Sequence, residues 1–413
     1  MGRIALVSEH ASPLTAPGRL HAGSQSLYVA NVSAALSGIG HEVVVYTRRD
    51  DPHTPARTRV GAGYEVVQVP SGPARRITGD EATAHAGDFA RFLSTDWNTN
   101  RPDVVHAQGW LSGITAVLGA RHNRVPVVQT FHTLGADLQR HRGDDDSLTM
   151  KRLAVERLLG QQVAHVVATR TDEAEGVLKM GISRAKVSVI PHGVDLTLFT
   201  PQGLTAGRNG VRRIVSVGRL LPHQGFDDLI RALTSLEDAE LVIVGGGSVS
   251  GRLRGDTEAR RLRALARVRG VAHRVTLAGH LRHHELPALL RSADVVACTP
   301  WYESCGVAAL EAMACGVPVV ATSVGGFVDT VVNGQTGIQV PPRNPGAIAK
   351  ALRTLLPNDT RRELLGAAGR DRMHARYSWH RIVSELMQVY TAAGRSSFTE
   401  SRTVPLRQSH VDL

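Results

Sequence analysis

Cysteine is scarce in this chain of 413 residues: only Cys298, Cys305 and Cys315. Three thiols exclude a disulfide-stapled scaffold, and their spacing matches no zinc pattern; two lie inside apolar runs, as buried structural thiols do. Aromatics are only 4% of the residues. No basic stripe with interleaved aromatics occurs, which argues against nucleic acid as a partner. Lysine is nearly missing, with four (Lys151, Lys179, Lys186, Lys350) among 48 basic residues. Arginine dominance of that kind fits a GC-rich genome, and the net charge of +11 is compatible with phosphorylated ligands or an anionic surface. No run approaches the ~20 apolar residues of a membrane span, and Met1 to Glu9 is too short and too polar for a secretory signal. A cytoplasmic protein is expected, with peripheral contact at an inner membrane face left open.

The composition that is present, 42% apolar and 21% charged, is that of a globular protein, and the length calls for two domains. Short apolar runs at Ile4–Val7, Glu42–Thr47, Tyr64–Val69, Val104–His106, Val125–Thr130 and His165–Ala168 read as parallel strands buried on both faces. Between the first two, Val29, Val32, Leu36 and Ile39 mark one face of a helix stopped near Gly38 and Gly40. A second series follows at Arg213–Val217, Leu241–Val244, Arg274–Ala278, Asp294–Cys298 and Val317–Ala321. The reading is α/β: two Rossmann-like doubly wound domains, 1–195 and 211–375, joined by a hinge at 196–210 and facing each other across a cleft. A helix over 376–392 is expected to return to the first domain, and 393–413 to form a disordered tail.

Several residues are placed for chemistry, each with a plainer alternative. Gly23, in His21-Ala22-Gly23-Ser24, opens a helix after the first strand, where a phosphate or an ordinary capped turn fits. Arg219 ends a strand, as a diphosphate clamp or a solvated arginine would; Gln224 and Gly225 follow. His132 ends the strand Val125–Thr130, a place for a cleft histidine or a structural one, and His106 is similarly ambiguous. Glu303 and Glu311 bracket a helix start near Cys305. With ~1.5 Å of rise per residue they lie about 10 Å apart. That exceeds the spacing of about 5 Å for the carboxylates of a retaining glycosidase, so they do two separate jobs. His280, His283, His284 and Glu285 resemble a metal patch on paper but lack ligand spacing, so a solvated helix start is preferred and no metal is expected. The arginine-rich stretch 252–269, with Leu253, Leu262, Leu265 and Val268, reads as an amphipathic helix packed on the sheet.

The order of these elements carries more than any one of them. Gly38-x-Gly40-His41-Glu42-Val43, Pro126-Val127-Val128-x-Thr130-x-His132, Val189-Ile190-Pro191-x-Gly193-Val194-Asp195 and Val217-Gly218-Arg219-Leu220 occur in sequence. Val244-Gly245-x-Gly247, Glu303-x7-Glu311-Ala312, Ala314-x-Gly316-Val317-Pro318-Val319-Val320-Ala321 and Thr336-Gly337 follow. The series, spanning roughly residues 3 to 392, resembles the retaining glycosyltransferases of family 4, which have the GT-B fold. The resemblance implies a nucleotide-sugar donor, UDP- or GDP-linked, and a small-molecule, lipid or glycan acceptor. Glu311 would hold the donor ribose; Glu303 with the amides of Cys305, Gly306 and Val307 would hold the sugar and distal phosphate. Arg219 would neutralise the diphosphate, Gly23 approach it, and His132 sit by the sugar. The base would lie against Gly279-His280-Leu281. Neither cofactor nor metal is implied.

Two departures stand out. Where the family has a lysine five residues after Arg219, this chain has Gln224, which can bond a phosphate but not neutralise it; Arg213 or Arg19 are candidates to compensate. Ala22-Gly23 stands where two glycines are common. The first motivates one alternative, a degenerate sugar-nucleotide binder with weak turnover; a separate alternative is a different reaction on the same fold, such as a sugar-nucleotide epimerase. The acceptor loops, 10–20, 70–90 and 134–150, mix arginines with acids and do not name an acceptor, and the sequence is silent on oligomeric state.

Overall fold

The computed structural model describes residues 2–14, 24–142, 147–208, 210–246, 253, 255–303 and 305–394. Gly23, Arg19, Ser304 and the tail beyond Gly394 therefore lie outside the described residues. The chain divides into two compact units: the first holds the described residues up to Pro191 and those from Trp379 onward, the second His192–Ser378.

In the first unit, β1 (Arg3–Val7), β2 (Glu42–Arg48), β3 (Arg57–Arg59), β4 (Glu65–Val69), β5 (Val104–Gln108), β6 (Val127–Thr130), β7 (His165–Ala168) and β8 (Val187–Val189) form one sheet. The strand order is β3-β4-β2-β1-β5-β6-β7-β8. Alternation decides the packing. Ile4 and Leu6 of β1 join Val29, Val32 and Leu36 of the helix Ser24–Gly38. Ala5 and Val7 point the other way, onto Phe89, Leu93 and Trp97. Both faces are buried, which is why these strands read as unbroken apolar runs. The helix Trp379–Ala393 places Ile382, Leu386 and Tyr390 in the same core as Leu36, so the chain's last described element belongs to the first unit.

The second unit carries β9 (Arg212–Val217), β10 (Ala239–Val244), β11 (Val275–Gly279), β12 (Val295–Cys298), β13 (Val319–Thr322) and β14 (Gly337–Val340). They run in the order β11-β10-β9-β12-β13-β14, all neighbours parallel. Phe199, 1% exposed, packs into this unit's core with Leu290 and Met313. Among its parallel strands each sheet reverses its order once, at β1/β5 and at β9/β12. Loops leaving the carboxyl ends of strands at such a reversal diverge and leave room for a ligand.

Three expectations change. The first sheet is not wholly parallel: β3 pairs antiparallel with β4, and its Arg57-Thr58-Arg59 makes a charged edge that resists further pairing. Pro126 and Pro318 precede rather than join their strands, since proline has no amide to donate to a ladder. Val268, assigned to the buried face of an arginine-rich helix, is 83% exposed at the end of Thr257–Val268, whereas Leu253 and Leu262 are buried. Among the described residues no helix is long and apolar enough to cross a bilayer.

Candidate functional site

At the β9/β12 reversal the chain leaves β9 through Gly218 and Arg219. Gly245 after β10 has φ +144°, and a Cβ there would strike the carbonyl oxygen of Gly218. Only glycine lets the β10 loop close on the β9 loop and fix the backbone beneath Arg219. The Arg219 side chain is exposed and has no ion pair or hydrogen bond to the described residues. Arg213, a candidate to replace the missing lysine charge, is excluded. It sits at the amino end of β9, 6% exposed, bonded to Glu240 (2.6 Å) and Ser292 (2.9 Å).

Gln224 ends the short turn Pro222–Gln224, which is tied to the β12 loop by the Trp301 amide donating to the His223 carbonyl (2.8 Å). Trp301 is fixed in turn: its indole donates to Asp228 (3.1 Å), and the Arg343 guanidinium lies 4.4 Å over its ring. Gln224, Thr299, Glu303, Gly306 and Val307 line one cavity of about 30 Å³, room for a water or two. The helix begins at Val307, two residues later than expected, because Gly306 adopts φ +67° as its cap. Oε1 of Glu303 accepts from the amides of Cys305 (3.1 Å) and Gly306 (3.4 Å). Those amides, expected to be open to a phosphate, already hold a carboxylate. Gly325 (φ +48°) packs against the Glu303 carbonyl where any Cβ would clash, which locks the backbone of this residue.

Glu311, 5% exposed, lies inside the helix Val307–Ala314. Its partner is His283, whose Nε2 is 2.8 Å from Oε1. His283 belongs to the turn His283–Glu285 beyond Gly279-His280-Leu281, and its ring packs edge-on against Phe199 at 5.1 Å. The sequence reading took this histidine group for a solvated helix start. His284 is indeed exposed at such a start, but His283 links the expected base-binding turn to Glu311, and 28 residues of separation hid it. Among the described residues no group of three or more His, Cys, Asp or Glu side chains is arranged to hold a metal ion. Cys305 pairs with His192, Sγ to Nε2 3.3 Å, and the three thiols are all buried and free of disulfides.

In the first unit His132 follows β6 with φ +63°, a left-handed backbone unusual for a side-chain-bearing residue. Its Nε2 lies 2.8 Å from Oε1 of Gln108 at the end of β5, and its ring packs edge-on to Tyr28 at 5.2 Å. The Arg170 guanidinium donates to its carbonyl (3.1 Å). His106 resolves as structural: fully buried, it bonds Tyr390 (2.7 Å) and Thr130 (2.8 Å), and burial drives its pKa down to about 3.

Glu9, beyond the end of β1 and unmarked by any motif, is 4% exposed. Its Oε1 lies 3.4 Å from Nε of Arg48, and Oε2 3.8 Å from His10. Arg48 also donates to the carbonyls of Arg49, Pro73 and Arg75. Burial, opposed by Arg48, pushes the Glu9 carboxyl up to about 7 from 4.5. A raised carboxyl pKa means the folded state prefers the proton, so stability falls as pH rises from about 4.5 through 7. Glu9→Gln keeps the shape and removes the ionisation. The variant should be more stable than wild type at pH 8 by up to about 3 kcal/mol, with a higher unfolding temperature, and the gap should narrow to under about 1 kcal/mol near pH 5. Calorimetry at both pH values checks this; equal stability at pH 8 would show that Arg48 fully satisfies the carboxylate.

The family model for glycosyl transferases group 1 matches residues 206–372, and that for Glycosyltransferase Family 4 matches 25–198. The chain is 34% identical to D-inositol 3-phosphate glycosyltransferase of Xylanimonas cellulosilytica over 95% of this chain and 97% of that protein. It is 33% identical to the Salinispora arenicola enzyme of the same name, over 95% and 92%. Among solved structures, sucrose-phosphate synthase from Thermosynechococcus elongatus superposes with a TM-score of 0.82 at 28% identity, covering 94% of this chain and 98% of that one. Anabaena HepE, solved with UDP and glucose, reaches 0.71 at 17% identity, over 95% and 100% of the two chains, a likeness of fold. With two doubly wound parallel-sheet units, both family models in order and relatives matched end to end, the chain belongs to the group 1, family 4 glycosyltransferases of GT-B fold and acts on nucleotide sugars.

Proposed function

We propose that the protein transfers a sugar, with retention of anomeric configuration, from a UDP- or GDP-sugar to a phosphorylated cyclitol of the inositol phosphate class. The observation that carries the acceptor class is the end-to-end identity with the D-inositol 3-phosphate glycosyltransferases, at 34% over 95% of the chain. In this reading Glu311 takes the donor ribose, and the base lies on Gly279-His280-Leu281. Glu303 keeps Oε1 on the Cys305 and Gly306 amides and receives a sugar hydroxyl on Oε2. The diphosphate falls to Arg219, which is unengaged among the described residues, and to Gln224. His132 is the first unit's candidate for a sugar hydroxyl. The bond from anomeric carbon to diphosphate breaks as the acceptor oxygen attacks the same face, and the acceptor's proton passes to the departing diphosphate. No resident cofactor is assigned.

Labelled UDP-glucose, UDP-N-acetylglucosamine and GDP-mannose, each offered with D-inositol 3-phosphate, free inositol or no acceptor, test the reading. One donor should give a product with inositol phosphate at least about tenfold faster than with inositol, since an ionic contact to phosphate is worth more than 1.4 kcal/mol. Equal rates on both acceptors would remove the phosphate from the proposal. Conversion of a donor with no acceptor present would return the epimerase alternative.

A further inference from the structure

We propose that His283 is a positioning residue of the donor site: by holding Oε1 of Glu311 it presents Oε2 to the donor ribose and sets a preference for ribonucleotide over 2′-deoxyribonucleotide donors. The inference rests on Glu311 as the ribose ligand. A glutamate on a helix has three side-chain torsions, and one carboxylate oxygen must be pinned before the other can serve as a directional acceptor. Nε2 of His283 does this at 2.8 Å. The imidazole is itself held, edge-on against Phe199 at 5.1 Å, on a turn whose Glu285 accepts from the Arg282 amide (2.9 Å) and side chain (2.7 Å). Both ends of the pair are therefore fixed by packing, and the glutamate is 5% exposed.

The groups facing His283 give the pair a pH dependence. From the helix Val307–Ala314 comes Glu311; from the segment after Pro191 comes Asp195; Phe199 is neutral; on its own turn are Arg282, His284 and Glu285, with Arg282 and Glu285 paired. Burial lowers the histidine pKa, but the bond to Glu311 and the charges of Glu311 and Asp195 outweigh it, and the net direction is upward from 6.5. The imidazolium form, with its charge-assisted bond, is present below that raised value and is lost as pH rises through it. Above it only a neutral N–H remains to hold the carboxylate.

The test measures binding of UDP and of 2′-deoxy-UDP by calorimetry from pH 6 to 9; their affinity ratio cancels the titration of the diphosphate itself. Wild type should favour UDP about ten- to a hundredfold at pH 6, the worth of one hydrogen bond to a charged group, and less at pH 9. In His283→Gln, whose amide can donate but not titrate, the ratio should persist without a pH dependence. In His283→Ala it should fall below about twofold, with donor KM rising and kcat nearly unchanged. A His283→Ala ratio and pH profile matching wild type, while Glu311→Ala abolishes the ratio, would overturn the role of His283. A ratio that survives in Glu311→Ala would instead overturn the ribose reading beneath it.

Discussion

Arg219→Ala should lower kcat by about 10² to 10³, with a smaller rise in donor KM, when transfer of labelled sugar is followed at saturating acceptor. Negative charge accumulates on the diphosphate as its bond to sugar breaks, so a fixed cation there stabilises the transition state more than the bound donor. Three observations make the expected effect large. Arg219 is exposed and unpaired among the described residues, so its charge is not already neutralised by an acid. Gln224, which cannot neutralise a phosphate, stands where the resemblance implies a second cation, and Arg213 is committed to Glu240 and Ser292. Under the proposed function a single arginine thus faces the diphosphate without a second cation. The same logic gives a gain: Gln224→Lys should raise kcat severalfold, since Gln224 lines the cavity shared by Glu303 and Gly306. Turnover undiminished in both Arg219→Ala and Glu311→Ala would defeat the assignment of the donor site.

Much of the fold was legible because strands buried on both faces leave uninterrupted apolar runs, and eleven of the fourteen strands among the described residues were read from such runs. The three that were not are each explained. Arg57-Thr58-Arg59 is a charged edge, Val187-Ser188-Val189 is too short to register, and Gly337-Ile338-Gln339-Val340 mixes a glycine and a glutamine into its run. Motif order also singled out Arg219, Glu303 and Glu311, which lie in the segments that follow β9 and β12. What sequence could not reveal were partners supplied by distant segments. Glu303 turned back on its own helix start, His283 reached Glu311 across 28 residues, and Glu9 met Arg48 from a neighbouring strand. None of these has a periodicity, so only packing exposes them.

Arg170→Met should destabilise the first unit by about 3 to 5 kcal/mol, the penalty for removing one partner of a buried ion network. Arg170 is 1% exposed and lies 2.7 Å from Asp137, 2.5 Å from Asp172 and 4.0 Å from the fully buried Glu173. Burial already holds the Glu173 carboxyl above its ordinary range, with Arg170 pulling it back down. Without the guanidinium, two buried acids face each other with fewer compensating charges. Arg170→Lys should recover only part of the loss, because a point charge cannot span Asp137, Asp172 and the His132 carbonyl together. Arg170→Met combined with Asp137→Leu should recover more than either single change predicts, as coupled sites do. The local effect reaches the proposed sugar contact through His132. Its φ of +63° is held by Arg170 on its own carbonyl, by Arg152 on the carbonyl of Thr133 and by Glu156 on the amide of Gly135 (2.9 Å). A loop in a strained conformation relaxes when one of three restraints goes. Arg170→Met should therefore lower kcat while leaving UDP affinity intact, since the residues given to the nucleotide under the proposed function, Arg219, Gln224, Glu311 and Gly279-His280-Leu281, belong to the second unit. Thermal unfolding and UDP titration on the same variant separate the outcomes. A melting temperature within about 2 °C of wild type would mean that the network contributes little. Loss of UDP binding would mean that the damage is not confined to the first unit.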